Sequence, residues 1–367
     1  MTAKVVVGVY LERTGGAVMR AVAEQDKGQK QIVPTHFEEV DWNPGSVTEA
    51  RAGVEAMANA VAQIEDCKSI AIASYGPFEA IRRVDSDDKY TKPKFGIIDS
   101  KVAHLPLRGL DLRKIFSSAI LAADKDREFL ITIHTDAEAC AIGEGLARGI
   151  KEDKTLAYLL VTEGIGLGVV QGQQPLRSAL HSEMGMLHVR RHSKDKIATK
   201  REIDPWAVSL SEMASNEAMR SRFRTEYKLP PKMDVTNDIV KSDPKLKNWY
   251  MRAYYVSQAC FACSVILAPH KIIIGTDLDV DEEFRVSDIA TLTELHFRKF
   301  LNARMIDKQP VFTFEELDKR DYIERSVAIP SIREKPSFRA TGALGMCYAA
   351  ETAPSIVEKS DASDSES

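Results

Sequence analysis

The chain has 367 residues, with 50 basic and 54 acidic side chains and a formal net charge of −4. Apolar residues make up 44% and charged residues 28%, which supports a sizeable core and excludes a wholly disordered chain. The length suits two ordinary domains, and the near-neutral balance without a concentrated basic block argues against a nucleic-acid partner.

In chain order, "KVVVGVYL" (4–11) is valine-rich and β-branched, the composition of a buried strand. No charged-then-apolar leader precedes it, so no signal segment is expected. A turn at Thr14-Gly15-Gly16 should lead into a second strand, "AVMRAVAEQ" (17–25). Apolar residues three and four apart predict a helix over 47–67, and "SIAIASYG" (69–76) a buried strand ended by a Gly-Pro turn. Residues 110–123 predict a helix, "FLITIHTD" (129–136) a strand ending on an acid, and 137–150 a helix closing on glycine. The second half repeats this order. Residues 155–176 read as two strands joined by a glycine turn, 205–228 as a helical region, 249–270 as a long helix and 271–278 as a strand. A helix over 289–305, a strand region over 322–331 and a small-residue helix over 341–351 follow. Strands lead both halves and helices follow, an α/β arrangement with two similar lobes. The acidic, serine-rich end "EKSDASDSES" predicts a disordered tail.

The longest apolar stretch, "AYYVSQACFACSVILA", is too short and interrupted to span a bilayer, so no membrane partner is expected. Five cysteines, an odd number, suit a reducing cytoplasm better than a disulfide scaffold. Cys260 and Cys263 form a C-x-x-C inside an apolar helix, where small core residues are expected rather than a redox pair. Basic clusters such as "KDKIATKR" lack interleaved aromatics and read as solvated faces.

Glycines let a backbone approach a phosphate and point N–H groups at its oxygens. "TEGIGLG" (162–168) offers Gly164, Gly166 and Gly168 at a strand-to-strand turn, although most glycine hairpins bind nothing. Glu163 stands beside them, an unfavourable anion unless Mg²⁺ or a lysine offsets it. Asp136 ends a strand just before a helix, where it can accept a proton from a hydroxyl or simply cap the helix. "HSEMGMLHVRRH" (181–192) gathers three histidines and Glu183, and a metal site, a substrate-binding acid or ordinary strand and loop all fit that composition.

Taken in order, "ASYGPFEA", "KFGIIDS", "HTDAEACAIGEG", "VTEGIGLGVV", "LHSEMGMLHVRRH", "AYYVSQACFACSVILAPHKIIIGTDL" and "TGALGMCYAA" resemble the ROK family of sugar kinases, and its bacterial-type fructokinases most. The resemblance covers residues 4 to 352 and implies an actin-like fold, two ribonuclease H-like α/β lobes with a cleft between them. It implies domains at 1–126 and 127–335, a closing helix at 336–353 that returns toward the first lobe, and a tail at 354–367. By resemblance Asp136 is the catalytic base, and Glu183, Gly76 and Glu138 meet the sugar. Gly15, Gly16, Gly164, Gly166, Gly168, Gly275 and Thr276 would line the nucleotide. The implied ligands are a sugar, ATP and Mg²⁺.

Departures from the family pattern are visible as well. Ala17 follows the first glycine pair where threonine is usual, Met186 stands where the sugar-binding histidine belongs, and Glu138 replaces an asparagine. Glu12 offers a displaced acid ahead of the first pair, and Ser211-Glu212 falls near an expected sugar-binding glutamate. The family's structural zinc site needs cysteines that "RRHSKDKIATKREIDPWAVSLSEMASNEAM" lacks, so zinc is not expected, and His181, His188 and His192 read as surface or strand residues. The first strand begins at Lys4, so the helix-turn-helix of the family's repressors is not expected. The reading is a cytoplasmic ATP-dependent hexose kinase, most like a fructokinase, with homodimers common among similar proteins. The competing reading is a kinase-like chain that binds its ligands without turnover.

Overall fold

The computed structural model describes residues 4–26, 29–76, 78, 96–99, 106–176, 182–197, 207–230, 233–236, 239–240, 246–276, 305–306, 309–310, 327–328 and 337–353. These fall into two compact units: described residues up to Ala147 together with those from Arg339 onward, and described residues within 148–176 and 182–338.

In the first unit, β1 (Lys4–Glu12), β2 (Gly15–Asp26) and β3 (Gln29–Asp41) form an antiparallel meander. Helix α1 (Val47–Ala62), β4 (Ser69–Ser74), α2 (Leu112–Ala123), β5 (Leu130–Thr135) and α3 (Asp136–Ala147) follow, and the sheet runs β3-β2-β1-β4-β5 with its last two pairings parallel. One face of β1 carries Val7, Val9 and Leu11 into a core with Val54, Met57 and Val61 of α1 and Phe116 and Ile120 of α2. A short polar side chain caps the start of α1 and of α2, where backbone N–H groups lack helical partners. Ser46 accepts from the Glu49 N–H and Asp111 from the Lys114 N–H. After α1, Arg127 donates to the Ala62 carbonyl at 2.9 Å, an oxygen that the helix end leaves open, and to the Cys67 carbonyl at 2.8 Å in the segment beyond it.

Strand β3 was not legible in the sequence. It is an edge strand, nearly all of it exposed, and it has a bulge opposite Arg20/Ala21 and a proline at 34. Residues 127–147, which the sequence reading assigns to the second lobe, belong here, because β5 pairs with β4 along its whole length.

In the second unit, β6 (Thr155–Val161), β7 (Ile165–Gln171) and β8 (Gln174–Pro175) form another antiparallel meander. One 3₁₀ turn at Met184–Met186, the ribbon of β9 (His188–Arg190) with β10 (Ala207–Ser209), and helices α4 (Leu210–Ala214), α5 (Asn216–Tyr227) and α6 (Leu246–Ile266) come next. Strand β11 (Lys271–Gly275) joins β6 in parallel, a pair β12 (Met305–Ile306) and β13 (Gln309–Pro310) follows, and β14 (Val327–Ala328) lies beside β11. The sheet order β8-β7-β6-β11-β14 repeats the 3-2-1-4-5 order of the first unit. The expected helical region at 205–228 is broken because Ser209 and Ser215 each cap a new helix. The helix expected at 289–305 lies outside the described residues, apart from its last residue at the start of β12. The strand region expected at 322–331 is described only at β14.

Helix α7 (Ser337–Thr352) belongs, from Arg339 onward, to the first unit. It crosses β1 and α3 backbone to backbone. A Cβ placed on Gly8 would lie 2.2 Å from the Ala343 carbonyl, and one on Gly345 would lie 2.0 Å from the Ala139 carbonyl. Gly345→Ala should therefore lower stability by about 2–3 kcal/mol, read as a lower urea midpoint at unchanged slope. A midpoint equal to wild type would show that the helices can part at no cost.

Candidate functional site

Asp136 is the first residue of α3, directly after β5. The helix cap is not Asp136 but Thr135, whose hydroxyl accepts from the Glu138 N–H at 3.2 Å while Glu138 accepts from the Thr135 N–H at 3.4 Å. Asp136 Oδ1 accepts from the Ala137 N–H at 2.8 Å. The Glu138 carboxylate also stands 3.3 Å from Nδ1 of the buried His134. Burial, helped by Cys140 and the carboxylates of Asp136 and Glu12, holds the Tyr10 phenol well above its ordinary pKa. Gly76 lies just beyond β4 at a bend.

Glu12 ends β1 and faces Arg339 of α7. Arg339 Nε donates to Glu12 Oε1 at 2.7 Å, and its Nη1 to Asp41 Oδ1 at 2.8 Å. Burial opposes the charge on Arg339, but Glu12 and Asp41 outweigh it and raise its pKa. The pairing of Glu12 with Gly15 leaves Arg13 and Thr14 as the turn, so Gly15 and Gly16 sit in β2 rather than in the expected loop. A Cβ on Gly15 would lie 2.5 Å from the Val40 carbonyl and 2.8 Å from Arg339, so packing alone requires glycine there. Trp42 pins the turn by donating from Nε1 to the Arg13 carbonyl at 2.9 Å.

In the second unit, Val161 pairs with Ile165, so the turn is Thr162 to Gly164, and Gly166 and Gly168 are strand residues of β7. Gly164 faces open space, with nothing within 4 Å of a Cβ built on it. The cation that offsets Glu163 is Arg220 of α5, whose Nη1 and Nη2 each donate to a Glu163 oxygen at 2.6 Å. Arg252 of α6 is buried, and its Nη2 gathers three segments: Val161 O at 2.9 Å, Asn216 Oδ1 at 3.1 Å and Thr276 Oγ1 at 3.0 Å. Gly275 ends β11 beneath the Tyr158 hydroxyl, which a Cβ would strike at 2.2 Å.

Glu183 and Met186 are exposed, while Gly185 is buried against the Ser211 side chain. The Leu210 N–H donates to Leu187 O at 2.8 Å, so the segment carrying Glu183 and the start of α4 come together. Glu212 completes a capping box with Ser209. His181 lies outside the described residues, His188 is exposed, and His192 packs edge-on against Tyr254. Burial lowers the His192 pKa. Among the described residues no group of three or more His, Cys, Asp or Glu is arranged to hold a metal ion. The loop that follows His192 is held by a buried ion pair. Arg222 donates to Asp195 Oδ2 at 2.7 Å, and the Tyr255 hydroxyl donates to the same oxygen at 3.0 Å. Cys260 and Cys263 are buried, and burial pushes the Cys263 thiol up to about 12. No described helix is long and apolar enough to cross a membrane.

Residues 52–312 match the family model described as ROK. The chain belongs to the ROK family. It is similar to a fructokinase of Lactococcus lactis subsp. cremoris, 26% identical over 204 residues that cover 55% of this chain and 59% of that protein. The chain spans 42% to 62% of the length of the curated relatives it matches. Its fold is that of the ROK hexokinase from Thermus thermophilus, at a TM-score of 0.59 and 17% identity, covering 95% of this chain and 100% of that one. It is similar as well to the ROK family glucokinase from Streptomyces griseus in complex with glucose and AMPPNP, at a TM-score of 0.55 and 15% identity, with 95% and 100% covered. The actin-like α/β fold expected from the sequence is therefore the fold of this ROK chain.

Sequence reasoning missed all four arginines: 220, 222, 252 and 339. Arg252 left the best signal, a lone cation in the apolar run "WYMRAYYV" where no helix face is polar enough to hide it. The ion pair behind His192 makes its own prediction. Breaking it with Asp195→Asn should cost about 3–5 kcal/mol, because Arg222 stays buried without its partner charge. A metal chelator should leave the wild-type melting temperature unchanged, whereas a large drop on chelation would show that zinc, not the ion pair, holds the loop.

Proposed function

We propose that this ROK chain is an ATP-dependent hexose kinase, with fructose as the first substrate to test. The observation that carries the reading is Asp136, which stands at the strand-to-helix junction while Thr135 does the capping. In this reading Asp136 accepts the proton of a sugar hydroxyl as that oxygen attacks the γ-phosphorus of Mg²⁺-ATP. The bond to the bridging oxygen breaks, and ADP leaves. Gly164, Arg252 and the Gly275-Thr276 end of β11 serve the nucleotide, and Glu183 and Gly76 hold sugar hydroxyls. Glu138, with its carboxylate on the Thr135 N–H, fixes the start of α3 and so the direction of Asp136. The glucose and AMPPNP carried by the Streptomyces griseus relative support a sugar and an adenine nucleotide as ligands.

A second reading, binding without turnover, is favoured by two observations. An exposed Met186 stands beside Glu183, and the glycine turn already holds an anion at Glu163.

The deciding assay is sugar-dependent ADP release with Mg²⁺-ATP across fructose, mannose and glucose. At least one hexose should be phosphorylated, and Asp136→Asn should lose about 10²–10⁴-fold in kcat with an unchanged melt. A folded wild type that binds ligands yet makes no sugar phosphate from any of them would establish the second reading instead.

A further inference from the structure

The glycine turn of the second unit carries its own anion. Glu163 lies in the turn between β6 and β7, and both its oxygens are 2.6 Å from the Arg220 guanidinium. The side chains are 22% and 14% exposed, so the pair is accessible from solvent at the turn. Next to it, Gly164 faces open space. A planar guanidinium that holds a carboxylate through two parallel bonds matches a phosphoryl group by the same geometry.

We propose that Glu163 is an internal stand-in for phosphate: it occupies Arg220 at the glycine turn, and a phosphorylated ligand binds by taking Arg220 from it. Taking the ligand to be a nucleotide rests on the kinase reading above; the competition itself requires only a phosphoryl group. Two features favour this over a mere fastening of α5 to the turn. The fastening is already made elsewhere, since the Asn216 N–H donates to Thr162 O at 2.8 Å and Arg252 joins Val161 O to Asn216 Oδ1. Arg220 also keeps a second anchor, because its Nε donates to Glu217 Oε2 at 2.9 Å. Releasing Glu163 therefore leaves the guanidinium in place at the turn. Glu217 is fit for that role. Burial would raise its pKa, but Arg220 and Arg224 outweigh burial and keep it ionised.

The charge count sets the consequence. Glu163 and Glu217 balance Arg220 and Arg224 while Glu163 is engaged, so the turn offers phosphate no net attraction until Glu163 swings away or its charge is removed. Every phosphorylated ligand meets this competition, and an uncharged ligand at the same place does not.

The test titrates the full chain with Mg²⁺-ADP, pyrophosphate and adenosine. Glu163→Gln should bind ADP and pyrophosphate about tenfold more tightly than wild type, with adenosine unchanged. The gain should vanish in Glu163→Gln/Arg220→Gln. Arg220→Lys, which keeps the charge but not the two parallel bonds, should weaken pyrophosphate binding. Glu163→Gln binding no tighter than wild type at equal melting temperature, or Arg220→Lys binding pyrophosphate as wild type does, would overturn the proposal. Tighter binding of adenosine to the same degree would overturn it too. Sugar-dependent turnover without this gain sinks the competition alone, and the gain without any sugar phosphate sinks the kinase reading alone.

Discussion

Helix α3 meets α7 at a separation that only glycine permits, and the first unit is arranged around that contact. Gly143 lies so close to α7 that a Cβ would sit 1.9 Å from Thr341 O, and Gly345 meets α3 in the same way. Close backbone approach leaves no room for side chains to re-pack, so α3 has one depth and one rotation. Asp136 heads that helix. The crossing of the two helix backbones fixes the point from which Asp136 projects. The same α7 brings Arg339 onto Glu12 and Asp41, so one helix orients both the strand-to-helix junction and the β1–β2 turn.

Arginine is the recurring means by which this chain manages charge. Arg339 meets the acids at the β1–β2 turn, Arg220 meets Glu163, Arg222 meets Asp195, and Arg252 ties three segments together. Desolvating a guanidinium costs several kcal/mol, which only well-placed oxygens offset. Each arginine therefore fixes the oxygens around it as firmly as they fix it. The loop after His192 illustrates the point. The Asp195 carboxylate, the Arg222 fork and the Tyr255 hydroxyl converge in a buried cluster, with Arg222 5.4 Å from the Tyr255 ring centroid. A closed ionic cluster of this kind sets loop geometry much as a metal with protein ligands does, through fixed distances to several partners.

The sequence made the buried framework legible and left the charged framework dark. Strands β1, β4, β5, β6 and β11 are runs of Val, Ile and Leu whose burial leaves few readings open. Strand β3 shares no such signal, because "QIVPTHFEEVD" is exposed along an edge and carries proline and acids. Asp136 was visible because a strand-to-helix junction has a local pattern. Arg220 was not, since its partner Glu163 lies 57 positions away and an arginine on a helix reads as solvated surface. The glycines misled in the opposite sense. Gly15, Gly16, Gly166 and Gly168 suggested loops, yet pairing places them in strands, and at Gly15 a crowding backbone accounts for the choice.

An internal anion at the glycine turn has a defined kinetic meaning. In the kinase reading proposed above, displacing Glu163 from Arg220 is completed when the nucleotide binds, before any bond to phosphorus changes. Its cost therefore falls equally on the ground state and the transition state, which raises KM for the nucleotide and leaves kcat untouched. An arginine released by that step then faces a phosphoryl group whose charge shifts during transfer, where a preorganised cation contributes most. On that reading the chain has a physical route to weak nucleotide binding that does not require the loss of catalysis. Altered residues at the turn and a retained Asp136 are compatible on this account, because they act on different steps.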